Sequence, residues 1–143
     1  MSKSPFRTLI ESIASEMDWE ISEIDDESAV IELEAESGSE MTLYASSDEE
    51  TVEFDVPSLA VMEKESDIQG NVSTFLLKRN ADLRVGAWVL EEVDDGWCYS
   101  VMYNEDLEVL QKMAKDGIIS NLITIVEECD RFDELWEQGE IEG

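Results

Sequence analysis

The chain has 143 residues, with 37 Asp and Glu against 9 Lys and Arg, no His, and a formal net charge of −28. Without imidazole there is no Ser-His or Cys-His catalysis and no histidine-ligated zinc; so few cations exclude a broad positive surface for direct nucleic-acid or anionic-membrane binding. The apolar fraction of 43% is nonetheless that of a chain that folds, and at this size one domain buries about two thirds of its unfolded surface.

Ser4-Pro5 reads as an N-cap followed by proline at the first helical position. Phe6, Leu9, Ile10, Ile13 and Met17 then recur at spacings of three and four, which predicts an amphipathic first helix. From Trp19 the period becomes two. Trp19 and Ile21 alternate with polar residues, and beyond an Asp25-Asp26-Glu27 turn Ala29, Ile31, Leu33 and Ala35 alternate with Val30, Glu32, Glu34 and Glu36. Met41, Leu43 and Ala45 form a further alternating set, and Val52, Phe54 and Val56 another, so three or four strands in meander order follow the helix. Pro57 is expected to end pairing or to sit at a sheet edge.

Ser66 and Gln69 have capping-box spacing, and Ile68, Val72, Phe75 and Leu76 make a helical stripe that Asn80 closes. Both faces of the Val85–Leu90 run are apolar, which predicts a central strand, and Asp95-Gly96 marks a hairpin leading into alternating Trp97, Tyr99, Val101 and Tyr103. Asn104 or Asp106 caps a last helical region that breaks at Asp116-Gly117. Ile118, Leu122, Ile125, Cys129, Phe132 and Trp136 then form a long seam, suited to covering a sheet more than to a coiled coil. The expected fold is a single α+β domain, a curved antiparallel sheet covered on one side by three helices, with a core over about 5–137 and a frayed acidic tail over 138–143.

Cys98 and Cys129 lack any CxxC or metal-ligand spacing and read as buried reduced thiols; the N-terminus lacks a signal-peptide run, and no 18-residue apolar stretch occurs, so the expected compartment is the cytosol. Asp25-Asp26-Glu27, Asp94-Asp95-Gly96 and Asn104-Glu105-Asp106 lack the alternate-residue spacing of an EF-hand loop. No GxSxG and no phosphate-cradling glycine loop is present. No catalytic residue, metal ligand or cofactor site is therefore assigned.

The run from Phe75-Leu76-Leu77-Lys78-Arg79-Asn80 through Leu83 and Gly86-Ala87-Trp88-Val89 to Trp97-Cys98-Tyr99-Ser100-Val101, within this order of elements, resembles the type III secretion chaperone-like fold. More specifically it resembles the YbjN-like branch and a related cyanobacterial family of uncharacterised function. The resemblance spans about residues 5–137. It implies a non-catalytic binding module, since secretion chaperones of this fold are acidic homodimers that hold an extended segment of an effector.

Two surfaces are candidates for binding. Between Thr8 and Glu63 there are eighteen acids and no Lys or Arg. Glu32, Glu34 and Glu36 are either a solvated sheet face or a face that steers a basic partner. Trp88, Leu90, Trp97, Tyr99 and Tyr103 either pack beneath the helices or line an open sheet face able to take a protein or peptide partner or a second copy of the chain. Lys78, Arg79 and Arg84 either complement a helix dipole or contact the acidic meander. The functional expectation is protein binding, chaperone-like or adaptor, as a homodimer; the alternative is an acidic mimic of nucleic acid that occupies a basic site on a partner.

Overall fold

A computed structural model describes residues 3–141. Helix α1 (Pro5–Met17) begins where the Ser4 hydroxyl accepts the Arg7 N–H at 3.1 Å, and Asp18, in the left-handed region at φ 56°, closes it. The chain then runs through β1 (Glu20–Ile24), β2 (Ser28–Glu34), β3 (Glu40–Ser47) and β4 (Thr51–Met62). Two of the connecting turns are built by aspartate. Asp25 Oδ1 accepts the N–H groups of Glu27 and Ser28, and Asp48 Oδ1 those of Glu50 and Thr51, all at 2.8 Å, and these bonds hold both carboxyls below their ordinary range.

A single 3-10 turn (Glu65–Asp67) leads to α2 (Gly70–Asn80), followed by the hairpin β5 (Ala87–Val93) and β6 (Gly96–Asp106), then α3 (Leu107–Lys112) and α4 (Lys115–Gln138). The six strands form one antiparallel sheet in the order β1-β2-β3-β4-β6-β5. The helices lie on one face. Phe6, Ile10 and Ile13 of α1, Val72 and Leu76 of α2, Leu110 of α3 and the Ile118–Phe132 seam of α4 join Ile31, Leu43, Phe54, Val56 and Val101 of the sheet in one core cluster. This is the expected α+β architecture, with alternation placing every second strand residue in the core.

Several expectations need correction. Strand β5 is an edge strand, not a central one; its second apolar face lies on the side of the sheet away from the helices. Pro57 does stand where pairing ends, as expected, for β3 pairs β4 only as far as Asp55, although β4 itself continues to Met62. It stands just past Asp55, the last β4 residue in register with β3, so its missing N–H costs no β3 ladder bond, and the register with β6 shifts between Pro57 and Val61. Ser66 falls within the 3-10 turn, and α2 starts at Gly70, preceded by Gln69, which makes no side-chain cap. The last helical region breaks at Met113-Ala114 rather than at Gly117, which lies inside the first turn of α4.

The hairpin loop is Asp94-Asp95, since Val93 pairs with Gly96. Gly96 has φ +143° for another reason: a Cβ there would lie 2.0 Å from the Met62 carbonyl oxygen, so the end of β4 crosses against its backbone. The expected frayed tail is docked as far as it is described, for Gly139 (φ 68°) caps α4 and Ile141 packs on the core. Residues 142–143 lie outside the described residues.

Candidate functional site

The aromatic residues singled out from sequence lie on the helix-covered face. Trp88 and Tyr99 are buried and meet at Phe132 of α4, with ring centroids 4.8 and 6.4 Å from it, and Trp136 stacks on Phe132 at 6.1 Å. Tyr103 is buried two rows along β6, stacked on Phe54 at 5.8 Å, and its hydroxyl accepts from Asn121 Nδ2 at 3.1 Å; burial raises its phenol above the ordinary value. Trp97 is half-buried against the core, and Leu90, opposite Tyr99, is exposed. The structure thus brings Trp88 and Tyr99 together, sets Tyr103 apart, and leaves Leu90 and part of Trp97 at the surface.

A polar lock surrounds this cluster. Arg79 grips Glu128 of α4 with both arms, Nη2 to Oε1 at 2.7 Å and Nε to Oε2 at 3.1 Å, while Trp88 Nε1 donates to Glu128 Oε2 at 2.9 Å. Burial opposes ionisation of Glu128, but the Arg79 and Trp88 hydrogen bonds and the Arg79 charge outweigh it and hold the carboxyl below its ordinary range. Asn80 reads the edge strand as a neighbouring strand would: its Oδ1 accepts the Trp88 N–H at 2.6 Å and its Nδ2 donates to the Trp88 carbonyl at 3.1 Å. The Ser73 hydroxyl bonds the Tyr99 hydroxyl. The Lys78–Arg84 stretch therefore sends Arg79 to α4, not to the acidic meander. Helix–strand contacts of this kind hold α2, β5 and α4 as one body, and no spacing in the sequence pairs residue 79 with residue 128.

The opposite face of the sheet has no helix over it. Its register places Val30, Tyr44, Asp55, Met102 and Ala87 in one row, and Pro57, Ser100 and Val89 in the next. Val61, Cys98 and Glu91 make the third. Tyr44, Val61 and Val93 are exposed on it. Ser100 and Cys98 are small, flanked on both sides by larger neighbours, and shut off from solvent. Glu32 and Glu34 also lie on this face, and Thr42 Oγ1 donates to Glu32 at 2.9 Å. Glu36 does not: β2 ends at Glu34, and Glu36 lies in the following turn, where its backbone N–H donates to Glu127 of α4 at 2.9 Å.

Among the described residues, no Lys or Arg occurs on any of the six strands. This chain shares its fold with a chain of a chaperone–effector complex. That solved structure, "Structure of the HopA1-SchA Chaperone-Effector Complex", holds a chain that superposes with a TM-score of 0.59 at 14% identity, covering 91% of this chain and 94% of that one. No protein-family model and no curated protein matches the sequence.

Asp55 is the residue the sequence reading passed over. Its Oδ1 is buried and meets no donor among the described residues. Glu91 from β5 and Ser100 from β6 stand against it. Burial, then the Glu91 carboxyl and the Glu53 charge, push the Asp55 carboxyl up to about 8, so it carries a proton at neutral pH. Alternation alone marks Asp55 as outward-facing, but only the β4–β6–β5 register sets it diagonally from Glu91 across Ser100. A second buried acid, Asp133 of α4, accepts the Leu59 N–H of the β4 irregularity at 2.8 Å, and burial raises it to about 6.

Sites for other chemistry are sparse. A hollow of about 230 Å³ between α2 and the end of α4, lined by Gln69, Val72, Leu135, Trp136, Gly139 and Ile141, presents no titratable side chain. Among the described residues no group of three potential metal ligands forms, and no helix is long and apolar enough to cross a membrane.

Proposed function

We propose that the protein is a non-catalytic protein-binding module of the cytosol, chaperone-like or adaptor in role, beside the YbjN-like branch of the secretion chaperone-like fold. The observation that carries this reading is a six-stranded sheet with one face left uncovered and free of cations, on a fold shared with a chain of a chaperone–effector complex. Uncovered apolar sheet surface is what a partner buries, and uniform negative charge around it selects basic partners and speeds their arrival. Glu32 and Glu34 on that face contribute to the steering field, with Glu36 in the turn that follows β2.

The homodimer in this reading uses the other exposed apolar group. Leu77 on α2 is 69% exposed, and Leu90 and Trp97 reach the surface on the hairpin that α2 packs against, with Trp88 and Tyr99 beneath them and Tyr103 further along the same face. Light scattering on a size-exclusion column should return twice the 16.2 kDa chain mass, and Leu77→Glu should shift it toward the single-chain value.

Affinity capture from the native lysate at low and high salt tests the function itself. Retained proteins that stay bound at high salt support an apolar docking surface. Nothing retained above a control column at either salt removes the protein-binding reading. A partner lost steeply with salt favours the second reading, a nucleic-acid mimic, which the cation-free strands support.

A further inference from the structure

We infer that the uncovered face of β4–β6–β5 docks an extended protein segment that carries a lysine or arginine between apolar residues, with the cation seated between Asp55 and Glu91. The inference rests on the protein-binding reading and names the partner's chemistry. Three observations converge on it.

The first is apolar surface in the right place. Pro57, Val61, Val89 and Met102 surround the Asp55–Ser100–Glu91 diagonal on the side of the sheet that no helix covers, and Val61 is half exposed at 51%. An extended segment alternates its side chains with period two, the same period as the rows it would lie across, so apolar residues and a cation can face the sheet together.

The second is charge. Every ionisable group on this face is an acid, and the nine Lys and Arg of the chain sit on helices, loops and the N-terminal segment. A second copy laid face to face would bring two cation-free acidic faces together, which like-charge repulsion opposes. The same electrostatics favour a cationic partner.

The third is the state of the acid pair. Asp55 Oδ1 is buried and makes no hydrogen bond among the described residues: the neighbouring Ser100 hydroxyl is directed to Cys98 Sγ at 3.8 Å, and the other side chain beside it is the Glu91 carboxyl. Burial of Asp55 and the facing Glu91 carboxyl both disfavour the ionised form of Asp55, so Asp55 keeps its proton. An ammonium or guanidinium supplies donors in place of that proton and lets Asp55 ionise, with charge-assisted bonds. Binding is therefore coupled to release of the proton to solvent, a signature that diffuse attraction to an acidic surface lacks.

The probe is a blocked pentapeptide with valine at positions 1 and 5, lysine at position 3 and serine at positions 2 and 4, so that both valines and the lysine share one face, compared with the same peptide carrying glutamine for lysine. Titration calorimetry at pH 7 in two buffers of different protonation enthalpy reads affinity and proton count together. We expect the lysine peptide to bind at least tenfold tighter than the glutamine peptide and to release close to one proton per peptide. The double variant Asp55→Asn, Glu91→Gln, which keeps the shapes of both side chains, should lose the preference and the proton release. Equal affinity for the two peptides, lysine binding without proton release, lysine binding untouched by the double variant, or no saturable binding of either peptide would each overturn the inference. Any partner retained by affinity capture separates the two readings: equal retention by the double variant sinks this site while protein binding stands, whereas absence of any retained partner removes protein binding itself.

Discussion

The two faces of one sheet are made from the same strands and are opposite in kind. Along β4, Val52, Phe54 and Val56 point into the core and are wholly buried, whereas Glu53, Asp55 and Pro57 between them point to the uncovered side. On the covered face the polar groups around Phe132 form a matched set, Glu128 with Arg79 and Trp88, although Arg7 Nε on α1 has no hydrogen-bond partner among the described residues. The uncovered face leaves Asp55 Oδ1 without a donor among the described residues. A face that has finished its bonding stabilises the fold, and a face that has not is free to bond something else.

The sharpest way to break this contrast is to change neighbours on one strand. Phe54→Ala should cost about 4 kcal/mol, because it empties a wholly buried ring site, while Val61→Ser on the uncovered side should stay within about 0.5 kcal/mol. Urea denaturation measures both, and a comparable loss from the two would erase the distinction. Next in size is Glu128→Gln, which leaves the Arg79 guanidinium without its counter-charge in a partly buried setting. A loss of about 2–3 kcal/mol is expected, at the low end for a broken buried pair because Arg79 retains some solvent. A loss below about 0.5 kcal/mol would show that the lock between α2 and α4 contributes little.

The pH dependence separates the faces differently. Asp55, at about 8, and Asp133, at about 6, bind protons more tightly folded than unfolded, where an aspartate titrates near 3.8. Their contribution is therefore full at low pH and is lost as pH rises, between about 4 and 6 for Asp133 and up to about 8 for Asp55. Asp25, Asp48 and Glu128 are shifted down and act oppositely, losing their contribution only below the ordinary carboxylate range. Thermal melts should thus give a higher Tm near pH 5 than near pH 8.5, and Asp55→Asn should flatten the fall between pH 6 and 8. A Tm that rises over that interval would contradict the assignment. The smallest effect is that of salt: self-repulsion of a −28 chain should ease between low and moderate ionic strength, raising the Tm by a few degrees.

Much of the fold was legible because local rules agree. Ser4-Pro5, the spacing of Phe6, Ile10 and Ile13, and the alternation of Ile31, Leu43 and Phe54 with acids each carry their element and its buried face, since 3.6 and 2 are the only periods that put those residues on one side. The aromatic set was legible as apolar but not as covered. Periodicity says that Trp88, Tyr99 and Tyr103 share a side and is silent on which side receives α4. The same silence made β5 look central, since two apolar strand faces mean either burial on both or a face kept for a partner.

The sequence by itself determined the element order, the one-sided alternation and the strongly negative charge, because these follow from composition and from spacings of a few residues. Only the tertiary structure decided that Arg79 meets Glu128 and that Asp55 stands against Glu91 across Ser100. Those contacts join residues 49 and 36 positions apart, and they depend on strand order and register, which are set by how the whole core closes and leave no period in the chain.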